Sequence, residues 1–100
     1  MKIRITEEQI RVRLSQEESR QLADGIGLQT SVRIDRNHNL SFNLRSAESD
    51  GILCVHLDNS FHISVPSHTA LELAEGLRPS IRRETSDEEG SEIVIEVDLS

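Results

Sequence analysis

The chain has 100 residues and a mass of 11.3 kDa, so a single domain over residues 1–100 is expected. Asp and Glu outnumber Lys and Arg by 18 to 11, and this net charge of −7 argues against binding nucleic acid by neutralising its phosphates. The sequence contains no run of about 18 apolar residues that could span a membrane, and its start lacks the apolar segment of a signal peptide. The single cysteine, Cys54, cannot form an internal disulfide, which favours a reducing, cytoplasmic location.

The first quarter of the chain predicts a hairpin followed by a helix. Apolar and polar residues alternate over residues 3–5 and 10–14, the pattern of half-buried strands, with a short polar loop between them. Ser15 followed by Glu18 is a capping box, which satisfies free N–H groups at a helix start. The helix is expected to end at Gly25, because glycine adopts the left-handed conformation that closes many helices.

The rest of the chain predicts a strand pair after this helix and then a second β-β-α-β-β unit. Residues 32–34 and 40–44 predict a second strand pair, and residues 45–51 a connector. The elements predicted after the connector are a hairpin over 53–57 and 61–65, a helix from Pro66 to Gly76, a strand from Ile81, an acidic loop over 85–91 and a strand over 93–99.

The two halves, about 1–48 and 51–100, are interpreted as a tandem repeat. A shift of 51 residues superposes Ile10 on Phe61, Leu22 on Leu73 and Gly25 on Gly76. The predicted fold is α+β: a tandem pseudo-repeat of β-β-α-β-β, with about eight short, mostly antiparallel strands and two short helices in one barrel-like or sandwich-like domain. The predicted core consists of Ile3, Ile5, Ile10, Val12, Leu14, Leu22, Val32, Ile34, Phe42, Val55, Leu57, Phe61, Ile63, Leu73, Ile93, Ile95 and Val97.

The first hairpin is expected to present basic side chains in directly opposed pairs on its outer face. A four-residue loop pairs Ile5 with Ile10 and turns these basic residues outward: Lys2, Arg4, Arg11 and Arg13. Like charges opposite each other destabilise a sheet, so a compensating charge is expected. One candidate is the last strand, with Glu92, Glu96 and Asp98 at the same period, and the other is a bound anionic partner.

The second hairpin contains a candidate metal site formed by Cys54, His56 and His62. If its apolar residues face inward, His56 lies opposite His62 and Cys54 opposite Ser64. Imidazole and thiolate are zinc ligands, but the sequence has neither C-x-x-C nor H-E-x-x-H spacing. The alternative interpretation is two exposed histidines on a polar strand face beside a partly covered cysteine.

No catalytic motif accompanies these residues. The five glycines are dispersed, and the sequence contains no P-loop, G-x-S-x-G or EF-hand pattern. Its carboxylates lie at helix starts and in the acidic loop, where solvation explains them. We therefore expect no enzyme activity and no cofactor.

The N-terminal segment carries a resemblance to a protein family. The run MKIRI, followed by Ile10-Arg-Val-Arg-Leu14-Ser15, resembles a group of short, uncharacterised bacterial proteins of a domain of unknown function. These proteins begin MKIRI and continue I-R-x-R-L-[ST]. The resemblance implies a cytosolic bacterial protein and brings no reaction, cofactor or site.

A second resemblance concerns topology. The run from Phe61 to Pro66, a helix ending at Gly76-Leu77 and two further strands are similar to the swapped-hairpin module of bacterial transition-state regulators and antitoxins. In that family two modules interleave into one DNA-binding barrel. The resemblance implies DNA contacts from the basic residues of the first hairpin: Lys2, Arg4, Arg11 and Arg13.

These observations lead to one leading functional hypothesis and two alternatives. The leading hypothesis is a small non-catalytic interaction module that binds an anionic or protein partner through the basic first hairpin. The alternatives are a DNA-binding regulator or antitoxin of the swapped-hairpin type, and a metal-binding protein that uses Cys54, His56 and His62. A homodimer is also considered, because an exposed strand edge over residues 93–97 could pair between chains.

Overall fold

The structure is a computed structural model that describes residues 1–83 and 92–98. Within these residues, eight strands and two helices follow the order β-β-α-β-β twice, which confirms the predicted α+β class. In chain order the elements are β1 (Lys2–Ile5), β2 (Gln9–Leu14), α1 (Gln16–Ala23), β3 (Leu28–Asp35), β4 (His38–Ala47), β5 (Leu53–Leu57), β6 (Ser60–Pro66), α2 (Ser67–Ala74), β7 (Ser80–Arg83) and β8 (Glu92–Val97). The predicted acidic loop over 85–91 and the end of the predicted last strand, Leu99, lie outside the described residues.

The strands form two four-stranded sheets, and each sheet combines one hairpin from each half of the chain. The strand orders are β1-β2-β8-β7 and β3-β4-β6-β5, so the arrangement is sandwich-like. Each sheet consists of two antiparallel strand pairs that are joined by one parallel pair. The parallel pair is β2 with β8 in the first sheet and β4 with β6 in the second. The first hairpin of each half therefore pairs with the second hairpin of the other half. Because β8 lies between β2 and β7, the prediction of a free edge over residues 93–97 is wrong.

One hydrophobic cluster draws on both sheets and both helices. Its side chains include Val12 of β2, Ile95 of β8, Ile63 of β6, Leu22 of α1 and Leu73 of α2. The helices pack against each other and place their leucines in this cluster. Ten residues of the predicted core are buried as expected: Ile10, Val12, Leu14, Leu22, Phe42, Ile63, Leu73, Ile93, Ile95 and Val97.

The hairpin of β3 and β4 explains part of the difference between the predicted and observed cores. β4 continues to Ala47 and so includes the first three residues of the connector predicted over 45–51. It pairs with β6 only from Ser41 onward. The tip of the hairpin therefore projects beyond the neighbouring strand, and Val32 and Ile34 are exposed there. Ile5, at the end of β1, is also exposed, so the core predictions for these three residues are wrong.

The ends of α1 follow the sequence signals closely. The Ser15 hydroxyl accepts the Glu18 N–H, and the Glu18 carboxylate accepts the Ser15 N–H, so the predicted capping box is confirmed. Gly25 has φ +85°, the left-handed conformation expected after a helix. Burial alone would raise the pKa of Glu18, but its bonds with the Met1 amino group and Ser15 hold that pKa below the ordinary value.

The helices of this fold are short. In residues 1–83 and 92–98, neither has the length and apolar character needed to cross a membrane. Their role in the described structure is to cover the core, as Leu22 and Leu73 show.

Candidate functional site

The first hairpin has the pairing that its sequence predicts. Arg4 lies opposite Arg11 and Lys2 opposite Arg13, while Val12, in the alternate position, is fully buried. Successive side chains of a strand point to opposite faces, so these four basic residues share the outer side of the sheet. We call this surface, formed by Lys2, Arg4, Arg11 and Arg13, the basic face.

The last strand neutralises part of the basic face. Arg13 is the register partner of Glu96, and its Nε donates to Glu96 Oε1 at 3.1 Å. Arg11 Nη1 lies 3.6 Å from Glu96 Oε2, so one carboxylate contacts two arginines. The prediction that an acidic last strand compensates the hairpin is confirmed for Glu96.

Glu92 has different partners on the same side of the sheet. Its Oε1 accepts a hydrogen bond from Gln9 Nε2 and lies 3.7 Å from Arg82 Nε. Arg82 is a cation of β7 that was not predicted on this surface. The period-two alternation of β7 beside β8 is the signal that places it there.

An apolar residue, Val94, is buried between two arginines on this side of the sheet. It is 3% exposed but does not belong to the hydrophobic cluster, because its neighbours Ile93 and Ile95 point into that cluster. Its register partners are Arg11 and Arg82. Arginine stems can cover apolar surface while the guanidinium stays in water, so these two arginines are placed to cover Val94.

The basic side chains of β1 lack the carboxylate contacts that Arg11 and Arg13 of β2 make with Glu96. Among residues 1–83 and 92–98, the side chains of Lys2 and Arg4 have no ion-pair partner. A cleft of about 210 Å³ is lined by Lys2, Ile3, Arg4, Arg11, Arg13 and Glu96. This cleft therefore brings four cations together with the carboxylate of Glu96, and two of the cations stand on an edge strand.

The second hairpin has a different register from the one that the sequence analysis predicted. Its turn contains two residues, with Asp58 at φ +54°, so Leu57 pairs with Ser60 instead of Phe61. A shift of one residue moves every side chain of a strand to the other face. Val55 and Leu57 are consequently exposed, and their predicted place in the core is wrong.

The same shift separates the predicted metal ligands. His56 pairs with Phe61 and stacks on its ring with centroids 4.4 Å apart, and Cys54 pairs with Ile63 and packs against the core. His62 pairs with Val55 and lies on the opposite face, so the predicted pairing of His56 with His62 is wrong. No group of three potential ligands occurs in the part of the chain that the structure describes.

The environment of Cys54 also disfavours a thiolate. Burial raises the pKa of the Cys54 thiol, and the positive charge of Arg83 opposes this only in part. Zinc binds the deprotonated form of cysteine. Cys54 is therefore a half-buried packing residue in this arrangement.

Excess Zn²⁺ is expected to leave the melting temperature of the protein unchanged, because Cys54, His56 and His62 do not converge. A specific site at 1,000 times its dissociation constant would add about 4 kcal/mol, which a small domain shows as a shift of many degrees. The measurement is a thermal melt with and without zinc, with His56→Ala as the matched control. A large shift in the wild type that His56→Ala abolishes would contradict this expectation.

A known protein family matches the whole length of the given sequence. The model of a family described as "Family of unknown function (DUF7009)" matches residues 1–100. No curated protein and no solved structure matches the chain.

Proposed function

The chain belongs to DUF7009, a family of unknown function, and we propose that it is a small non-catalytic module that binds an acidic segment of a partner protein through the basic face. The observation that carries the proposal is the contact of Glu96 with both Arg11 and Arg13. This contact supports the proposal, because a carboxylate of a neighbouring strand already lies within reach of two arginines of the basic face. The binding role needs no cofactor or catalytic group, and we place it in the cytoplasm.

The position of β1 suggests how the partner binds. β1 is the edge strand of the first sheet, so a second extended segment can add to it in the way that β8 lies along β2. Alternate side chains of that segment would face Lys2 and Arg4, as Glu96 faces Arg13. A segment with an acidic residue at every second position matches this pattern.

The charge distribution favours an acidic protein segment over nucleic acid. The chain has a net charge of −7, which opposes a long nucleic acid with a charge on every phosphate more strongly than a short segment with one charge at every second residue. Glu96 also lies within the basic face and would repel a phosphate backbone that runs across it. A short segment along β1 meets Lys2 and Arg4 without crossing Glu96.

The proposal is tested by reversing two charges of the basic face. Fluorescence anisotropy measures binding of a labelled peptide of alternating glutamate and threonine, first at low salt and then at about 0.15 M, where the Debye length is about 8 Å. The wild type is expected to bind at low salt and to lose affinity at the higher concentration. The double variant Lys2→Glu plus Arg4→Glu is expected to bind at least about tenfold more weakly, since the two side chains that face the segment become repulsive, a change of about 1.4 kcal/mol.

A charge-matched variant provides the control. Arg33→Glu plus Arg36→Glu changes the net charge equally, but its sites lie in the exposed hairpin of β3 and β4. At each of the two salt concentrations, this control is expected to bind the peptide with the affinity of the wild type. Equal losses in both variants would show a general charge effect and overturn the proposal.

A DNA-binding regulator is the second candidate function, and the exchange of hairpins between the two halves favours it. Labelled duplex DNA, measured under the same conditions, tests this candidate. Binding to the duplex but not to the acidic peptide would replace the first proposal with the second.

A further inference from the structure

The four edge strands of the two sheets differ in their protection against pairing with another chain. Natural edge strands carry charges, prolines or bulges, and a charged edge disfavours pairing with any strand that does not supply opposite charges. Three edges follow this rule, with Lys2 and Arg4 in β1, Arg82 and Arg83 in β7, and Arg33 and Asp35 in β3, where the register also shifts. The fourth edge, β5, reads Leu-Cys-Val-His-Leu and has none of these devices.

β5 also exposes an apolar row. Leu53, Val55 and Leu57 are 54%, 50% and 61% exposed, and the period of the strand places all three on the outer face of the sheet. Within residues 1–83 and 92–98, β6 is the strand that pairs with β5, and the opposite edge of β5 has no strand beside it. The free backbone groups of this edge suit another β-strand.

We infer that β5 is a dimerisation strand that pairs antiparallel with β5 of a second copy, centred on Val55. In this register, Val55 lies opposite its own counterpart, and Leu53 of each copy lies opposite Leu57 of the other. The apolar rows of the two copies then form one row on the outer face. The β3-β4-β6-β5 sheets of the two copies then join into one eight-stranded sheet.

The charges of the chain single out β5 of a second copy as the matching strand. β5 contains no Asp, Glu, Lys or Arg, so its self-pairing brings none of these side chains opposite one another. Pairing β5 with β1, β3 or β7 would instead place charged residues of those strands beside its apolar side chains. Self-pairing is also isologous, so it closes after two copies and leaves no further β5 edge.

The inferred dimer is independent of the proposed binding function. The basic face belongs to the first sheet, whereas β5 is an edge of the second. A dimer would therefore present two basic faces, each with its own β1 edge.

Disulfide trapping tests the register directly. Val55→Cys in a Cys54→Ser background is expected to form a covalent dimer on mild oxidation, because opposed Cα atoms in an antiparallel pair lie about 4.5–5.5 Å apart, within disulfide range. Leu53→Cys in the same background is expected to cross-link poorly alone and efficiently when combined with Leu57→Cys. Val32→Cys, on a 45% exposed site of β3, is the control for random cross-linking. Cross-linking of Val32→Cys as fast as Val55→Cys would overturn the inference.

Sedimentation equilibrium gives a test without cross-linking. The wild type is expected to approach twice 11.3 kDa as its concentration rises toward about 1 mM, since interfaces below about 1,200 Å² are usually weak. Val55→Lys adds a charge to the exposed edge and is expected to remain monomeric with an unchanged circular dichroism spectrum. Val32→Lys is expected to associate like the wild type. A wild type that stays at 11.3 kDa, or a Val55→Lys variant that associates equally well, would overturn the inference.

Discussion

Residues 1–50 and residues 51–100, expressed as separate fragments, are each expected to be unfolded, and an equimolar mixture of the two is expected to fold. The physical reason is the exchange of hairpins. In each half, the first and second hairpins belong to different sheets, and each obtains its neighbouring strand from the other half. Isolated two-stranded hairpins are at best marginally stable in water, so a single fragment cannot complete either sheet.

Far-UV circular dichroism of each fragment and of the mixture checks this expectation. The cut between Asp50 and Gly51 falls in the connection between β4 and β5 and leaves every described strand intact. Sedimentation of the mixture is expected to show a one-to-one complex. A fragment that unfolds cooperatively on heating as a monomer would contradict the expectation, because its two hairpins would then support each other.

The substitution Leu73→Ala is expected to lower the free energy of unfolding by about 2–5 kcal/mol. Leu73 of α2 is 2% exposed and belongs to the cluster that joins both sheets and both helices. Its truncation removes apolar contacts and leaves a cavity that the surrounding side chains fill only in part. In a 100-residue domain a loss of this size lowers the melting temperature by roughly 10–30 °C.

Leu71→Ala is the matched control for this prediction. Leu71 lies in the same helix, but its side chain is 50% exposed, so the same truncation is expected to change the free energy of unfolding far less. Urea denaturation of both variants measures the difference. Similar losses for the two substitutions would show that helix α2 does not pack on the core through Leu73.

The geometry of the basic face could be predicted from sequence because local signals determine it. The loop between residues 5 and 10 sets the hairpin register, and alternation then places Arg4 opposite Arg11 on the solvent side. The acidic residues at every second or fourth position of the last strand identified Glu96 as a counter-charge. Arg82 and the burial of Val94 were missed, since they depend on β7 being the next strand in the sheet.

The prediction that the candidate metal ligands share one face depended on the length of one turn. A three-residue turn would have placed Cys54, His56 and His62 on one face, but the two-residue turn at Asp58 separates His62 from the other two. Apolar alternation favoured the longer turn, because it would have hidden Val55 and Leu57. The observed register instead stacks His56 on Phe61 and leaves the apolar row of β5 exposed.

The sequence by itself determined the local structure of this protein: the order of strands and helices, the capping box at Ser15, the turn at Gly25 and the pairing within the first hairpin. These features depend on residues close together in the chain, whose propensities and spacing act directly on the backbone. Only the tertiary structure decided which hairpins share a sheet, that β8 lies beside β2, and that β5 is left as an uncharged edge. Those outcomes depend on the packing of distant segments around a shared core, where burial across the whole molecule outweighs the pattern of any single strand.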